Sequence, residues 1–291
     1  MRAVWGEWAG RAAAVFFALY YAYYAYIEIV RMLLYTKQWS LPQTTPWLVM
    51  LLMLIPTYTV ARGGSRILGR YIELIFFLSL MVPLPYLYTL QDAHWLHLLP
   101  VVKDGWRPIL SAFRESLLYY TGFGVSLMLY PFLEHKDKAS AGIVISSTLS
   151  MLAYLFIVIV CFVYFSPDEM KLYNDPVINI LKTIQFKFIE RFEVLMTSFF
   201  LFLFSTSWIT TLYLCAFCTS WLFQRQDHRP HLRLLCLIVG IGTYFYMPTF
   251  NESGRIVQFF GRIAIGVEYV LPVCLLLYMA AYDRLRRRRI E

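Results

Sequence analysis

Charge is what this sequence lacks most: Asp, Glu, Lys and Arg supply 15% of its 291 residues, whereas 59% are hydrophobic. A soluble domain carries about 25% charged residues, so a globule of this composition could not coat its surface with polar groups. Most of the apolar surplus must face lipid. That excludes soluble globular folds, and the same apolar content excludes disordered and collagen-like chains. Cysteine is sparse too, which excludes a disulfide scaffold. Cys161, Cys215, Cys218, Cys236 and Cys274 all lie in apolar stretches, where thiols act as small hydrophobes. Cys215 and Cys218 form a CxxC without a second pair, so no metal site is expected. Enzyme signatures are missing as well: there is no HExxH, GxSxG, Walker loop or GxGxxG after a strand. The expectation is a protein without catalytic chemistry or cofactor. His94 with His97, and His228 with His231 around Pro230, read as loop histidines with structural roles.

The net charge is +8, yet no basic stripe of the kind that tracks nucleic acid is present. The densest basic run, Arg284 to Arg289, closes the chain and reads as a clamp on anionic lipid. At the other end, the apolar run after Arg2 and Arg11 continues into Glu28 and Arg31 without a small-residue cleavage site. It is therefore not read as a removable signal peptide.

What the sequence does have is long apolar stretches. Eight, designated A to H, run approximately over 12–34, 45–61, 72–91, 108–133, 141–165, 192–222, 232–249 and 261–282, each close to the length a bilayer requires. They predict an all-α polytopic membrane protein with eight transmembrane helices in a single domain, 1–291. Alternate loops hold fifteen Lys and Arg on the side shared by both termini and ten on the other, which places both termini in the cytoplasm. Between E and F, Val177, Ile180, Leu181, Ile184 and Phe188 share a helical face. An amphipathic helix over 177–191, lying on the outer interface, is expected there.

Span D holds Thr121-Gly122-Phe123-Gly124 at its centre. As one straight helix its 26 residues would be about 39 Å long against a hydrocarbon core of about 30 Å. Two glycines around an aromatic at that depth argue for a break, whose freed N–H and C=O groups are the means by which transporters hold a zwitterionic or ionic ligand. The alternative is that both glycines only let a neighbouring helix approach closely. In span A, Tyr20, Tyr24, Glu28, Arg31 and Tyr35 share one face, directed either into the bundle or, for the charged pair, snorkelling at the boundary. Ser205, Thr206, Ser207, Thr210 and Thr211 in span F either bond back to helices or contribute to an ion path. Glu268, alone in span H, is a candidate proton or cation site or a buried partner for arginine.

Several blocks together resemble one family. Leu41-Pro42-Gln43-Thr44-Thr45-Pro46, the run from Tyr58 to Glu73, Tyr120-Thr121-Gly122-Phe123-Gly124 with Tyr130-Pro131, and Leu181 to Ile184 followed by Phe188 to Glu193 resemble endospore germination permeases. These are the GerAB-type B subunits of spore germinant receptors, a branch of the amino acid/polyamine/organocation transporter superfamily. The resemblance implies ten helices in two inverted repeats of five, the first helix of each broken around the ligand site. If D opens the second repeat, only A to C precede it, so the chain would be a truncated version of this 5+5 fold without its first two helices.

The resemblance also implies a function: a membrane subunit, in the cell membrane or spore inner membrane, that binds a small germinant, with an amino acid the expected class, and helps trigger germination. Thr121, Gly122, Phe123 and Gly124, with Tyr20 and Tyr24, would contact the ligand. Glu28, Ser205 and Glu268 would lie on an ion or proton path. A large soluble or membrane subunit, a lipoprotein and membrane lipid would be its partners. Two alternatives stay open: an amino-acid/cation transporter of the same superfamily, or a non-binding structural subunit.

Overall fold

The computed structural model describes residues 2–99, 105–184, 187, 189 and 191–287. In chain order the helices are α1 (Arg2–Trp39), α2 (Pro46–Ala61), α3 (Gly64–Ser79), α4 (Pro83–Thr89), α5 (Trp106–Ser116), α6 (Phe123–Leu129), α7 (Ala139–Tyr164), α8 (Pro167–Met170), α9 (Pro176–Asn179), α10 (Phe192–Leu222), α11 (Arg229–Phe245), α12 (Phe250–Ile265) and α13 (Leu271–Arg287). No β-strand occurs among the described residues. Among the described residues five helical stretches are long and apolar enough to cross a membrane: Glu7–Trp39, Gly64–Asp92, Lys136–Tyr164, Phe192–Leu222 and Phe250–Ala281. They correspond to spans A, C, E, F and H. Span B is α2, at 16 residues shorter than a usual crossing; G is the 17-residue α11, and D is interrupted.

The chain divides into two compact units, Met1–Val101 with Ser140–Ser253, and Val102–Ala139 with Gly254–Glu291. In the first unit α1 and α10 pack along each other. Tyr21, Leu33 and Leu214 have no exposed surface, so the contact is a side-chain seam rather than a crossing at one point. α2 packs on α11 and α10, and its start and end follow from local chemistry. Pro46 stands at the first helical turn, where its missing N–H has no partner to lose. At the other end Gly64 takes φ 77°, a conformation open to glycine. The His228 imidazole lies 3.2 Å from the Ala61 carbonyl, one of the acceptors a helix end leaves free. Across the packed face Trp208 Nε1 donates to Thr57 Oγ1 at 2.9 Å.

A second cluster of the same unit joins Val82 and Tyr86 to Val160, Phe165, Ile180, Leu181, Ile184 and Phe192. The N-terminal part of the expected interfacial helix lies in this cluster. Among the described residues of this stretch, helical structure covers Pro176–Asn179 as α9 and Ile180–Thr183 as a 3₁₀ turn. Its apolar side chains are buried in protein, and Tyr86 donates to the Val177 carbonyl at 3.1 Å. An apolar face that finds a protein pocket of this kind has no surplus to place on lipid. Gln185, Phe186, Phe188 and Glu190 of the expected helix lie outside the described residues. α7 shows the opposite behaviour. Of its 26 residues only Val160, Cys161 and Val163 are buried, so a wholly apolar helix presents nearly all its surface outward, as a lipid-facing span does.

Candidate functional site

Span D breaks at its centre, inside the second unit. α5 ends at Ser116, a 3₁₀ turn covers Leu117–Tyr120, and α6 begins at Phe123. Gly122 takes φ 135°, where an L side chain is strained and glycine is not. Such a turn frees backbone donors on one side and acceptors on the other, and buried backbone groups need partners. The donors are met by Glu268: Gly122 N–H donates to Oε2 at 3.3 Å, and Gly124 N–H donates to the same oxygen. The acceptors are met by the next residue, whose Tyr269 hydroxyl lies 2.9 Å from the Leu117 carbonyl and 3.3 Å from that of Tyr120. The Phe123 ring meets Tyr269 edge to face at 6.0 Å.

Glu268 and Tyr269 sit in a π-helical turn, Gly266–Val270, inserted between α12 and α13. Glu268 is 2% exposed. A carboxylate at that burial is tolerated because backbone N–H donors reach it. Gly124 lies close against the same carboxyl group. A Cβ there would lie 3.0 Å from Glu268 Oε1 and 3.2 Å from its Cδ, tighter than ordinary van der Waals contact.

Tyr20, Tyr24, Glu28 and Ser205 belong to the first unit. Tyr20 and Tyr24 are buried, with rings edge to face at 6.1 Å. Glu28 Oε1 accepts from Ser207 Oγ at 2.7 Å, and its Oε2 is buried with no hydrogen-bond partner among the described residues. Arg31 does not pair with it. The guanidinium instead lies over the Tyr35 ring at 5.6 Å, and Tyr35 donates to Asp175 at 2.9 Å. Ser205 Oγ meets the Tyr71 hydroxyl at 2.5 Å. Thr206, Thr210 and Thr211 bond back to carbonyls of their own helix. Sequence reasoning missed Tyr269; a tyrosine next to a lone mid-span acid was the available signal.

Residues 1–254 match the family model of spore permeases, described as spore germination protein. The chain belongs to this family. Among its relatives, spore germination protein GerQB of Bacillus cereus is 24% identical over 209 residues, covering 68% of this chain and 55% of GerQB. The alignment thus spans little more than half of that relative. Spore germination protein YndE of Bacillus subtilis is 21% identical over 283 residues, 94% of this chain and 76% of YndE. Spore germination protein B2 of the same species is 25% identical over 153 residues, half of this chain and 40% of B2. No solved structure matches. Family membership and five long apolar helices make this a membrane protein of the germination permease type. Among the described residues no group of three or more His, Cys, Asp or Glu is placed to hold a metal ion. Cys215 and Cys218 are buried free thiols, and the His94 and His97 rings, 5.3 Å apart, stand without further ligands of that kind.

Proposed function

We propose that this chain is the membrane subunit of a spore germinant receptor that binds a small germinant, an amino acid, at the interruption in span D. The observation that carries the reading is the half-buried break itself, with backbone donors at Gly122 and Gly124 on one side and carbonyls on the other. Irregular backbone at membrane depth serves transporters as a ligand site, and the relatives are named as spore germination proteins. The germinant carboxylate takes the N–H groups, with Phe123 beside it, and the closed state is favoured only by its differential affinity for ligand. No covalent step is involved. The signal passes to a large partner subunit and a lipoprotein. In the spore inner membrane both termini face the cytoplasm, in keeping with the bias of Lys and Arg among the loops.

Eight crossings, in this reading, form the second repeat of a 5+5 fold and three helices of the first. In that arrangement α1 and α10 are the third helices of their repeats, and α2 and α11 the fourth. Both pairs pack together, as mates about a pseudo-two-fold axis do. Spores carrying Gly122→Val are expected to lose the germinant response while the protein still accumulates. An unchanged response would remove the assignment.

A second reading, an amino-acid/cation transporter, rests on Glu28, whose unpaired buried oxygen beside Ser207 fits a proton or cation path. Uptake of labelled amino acid into vesicles that is lost in Glu28→Gln would favour transport over sensing.

A further inference from the structure

Glu268 and Tyr269 are consecutive, yet they serve opposite halves of the interruption. Glu268 accepts from the N–H groups of Gly122 and Gly124, and the Tyr269 hydroxyl donates to the carbonyls that precede them. Both residues stand on the turn Gly266–Val270, the one π-helical turn among the described residues. Insertions of this kind concentrate at functional sites because they offset the helix register locally.

We infer that Glu268 and Tyr269 form a releasable clamp on the interruption, holding it in the arrangement described above. The inference rests on the germinant reading in one respect. A germinant carboxylate and the Glu268 carboxylate require the same two N–H groups, so the ligand engages the break only as Glu268 lets go. The exchange replaces one carboxylate acceptor by another of the same chemistry, which makes it readily reversible. Its bias is set by what else the ligand contacts. Tyr269 is coupled to the same event because it leaves the same π-helical turn and its hydroxyl holds the carbonyls on the other side of the break.

The test is amide hydrogen exchange, read by mass spectrometry, on the full chain in lipid nanodiscs without ligand. Glu268→Met, which keeps the length of the side chain and removes the acceptor, and Tyr269→Phe are each expected to speed exchange at Gly122 and Gly124 at least tenfold. Amides of α10 should be unchanged, and the double variant should exchange no faster than the faster single. Rates within twofold of the parent in both singles, or a double variant whose effect is the product of the two, would overturn the clamp. Should Glu268→Met disturb α10, Gly124→Ala moves the carboxylate by crowding alone and is expected to give the same acceleration. Because no ligand is present, the two ideas fail separately. Fast exchange with a normal germination response keeps the clamp and removes the ligand site; slow exchange with an impaired response does the reverse.

Discussion

Thr57 and Trp208 show how a single hydroxyl can serve two masters inside a membrane protein. Thr57 Oγ1 donates to the Met53 carbonyl at 2.7 Å, leaving its lone pairs to accept from Trp208 Nε1. Thr57 has no exposed surface and Trp208 is 2% exposed, so water is not at hand to replace either partner. Thr57→Val keeps the volume and orphans the indole N–H. A loss of about 1 kcal/mol is expected, since buried polar pairs in membrane proteins are individually modest. The measurement is the unfolding midpoint in mild detergent, and an unshifted midpoint would show that the indole finds another acceptor. Residue-scale pairings of this sort were not legible in the sequence. Thr57 and Trp208 stand 151 positions apart, and neither carries a motif. The same holds for Glu268. Its isolation in an apolar run marked it as functional, but nothing in the chain's order said that Gly124, 144 positions earlier, would be its partner. Where chemistry is local the reading went further: two glycines flanking an aromatic do break the helix, because φ 135° at Gly122 is a property of that residue alone.

Elements differ in how much of their fate is decided by neighbours. α7 is apolar all round and meets little protein, so its span could be read from hydropathy. Leu152, near its middle, is 52% exposed. Leu152→Arg places a charge against hydrocarbon at a cost of about 3 kcal/mol on insertion scales, whereas Leu152→Ala removes only lipid contacts. Membrane-fraction immunoblots should show normal accumulation of the alanine variant and a marked loss of the arginine variant. Equal accumulation of both would mean that α7 is not lipid-facing. α9 stands at the other extreme. Its apolar periodicity was visible, but periodicity does not say whether a face meets lipid or protein. In the structure Ile180, Leu181 and Ile184 sit in the cluster around Tyr86 and Val160.

For the whole molecule the tractable question is sidedness. In the proposed eight-crossing arrangement the loops on the side of both termini hold the larger share of Lys and Arg, and cationic loops stay on the cytoplasmic face during insertion. Reporter fusions that fluoresce only in the cytoplasm should therefore be active at either end of the chain, and a periplasmic-type reporter should be silent at both. One active end alone would mean an odd number of crossings. The π-helical turn at Gly266–Val270 adds a constraint of another kind. Because adjacent positions there face groups of opposite polarity, adding or removing one residue would present a hydroxyl to donors and an acid to carbonyls. At this turn the number of residues therefore matters as much as which residues they are.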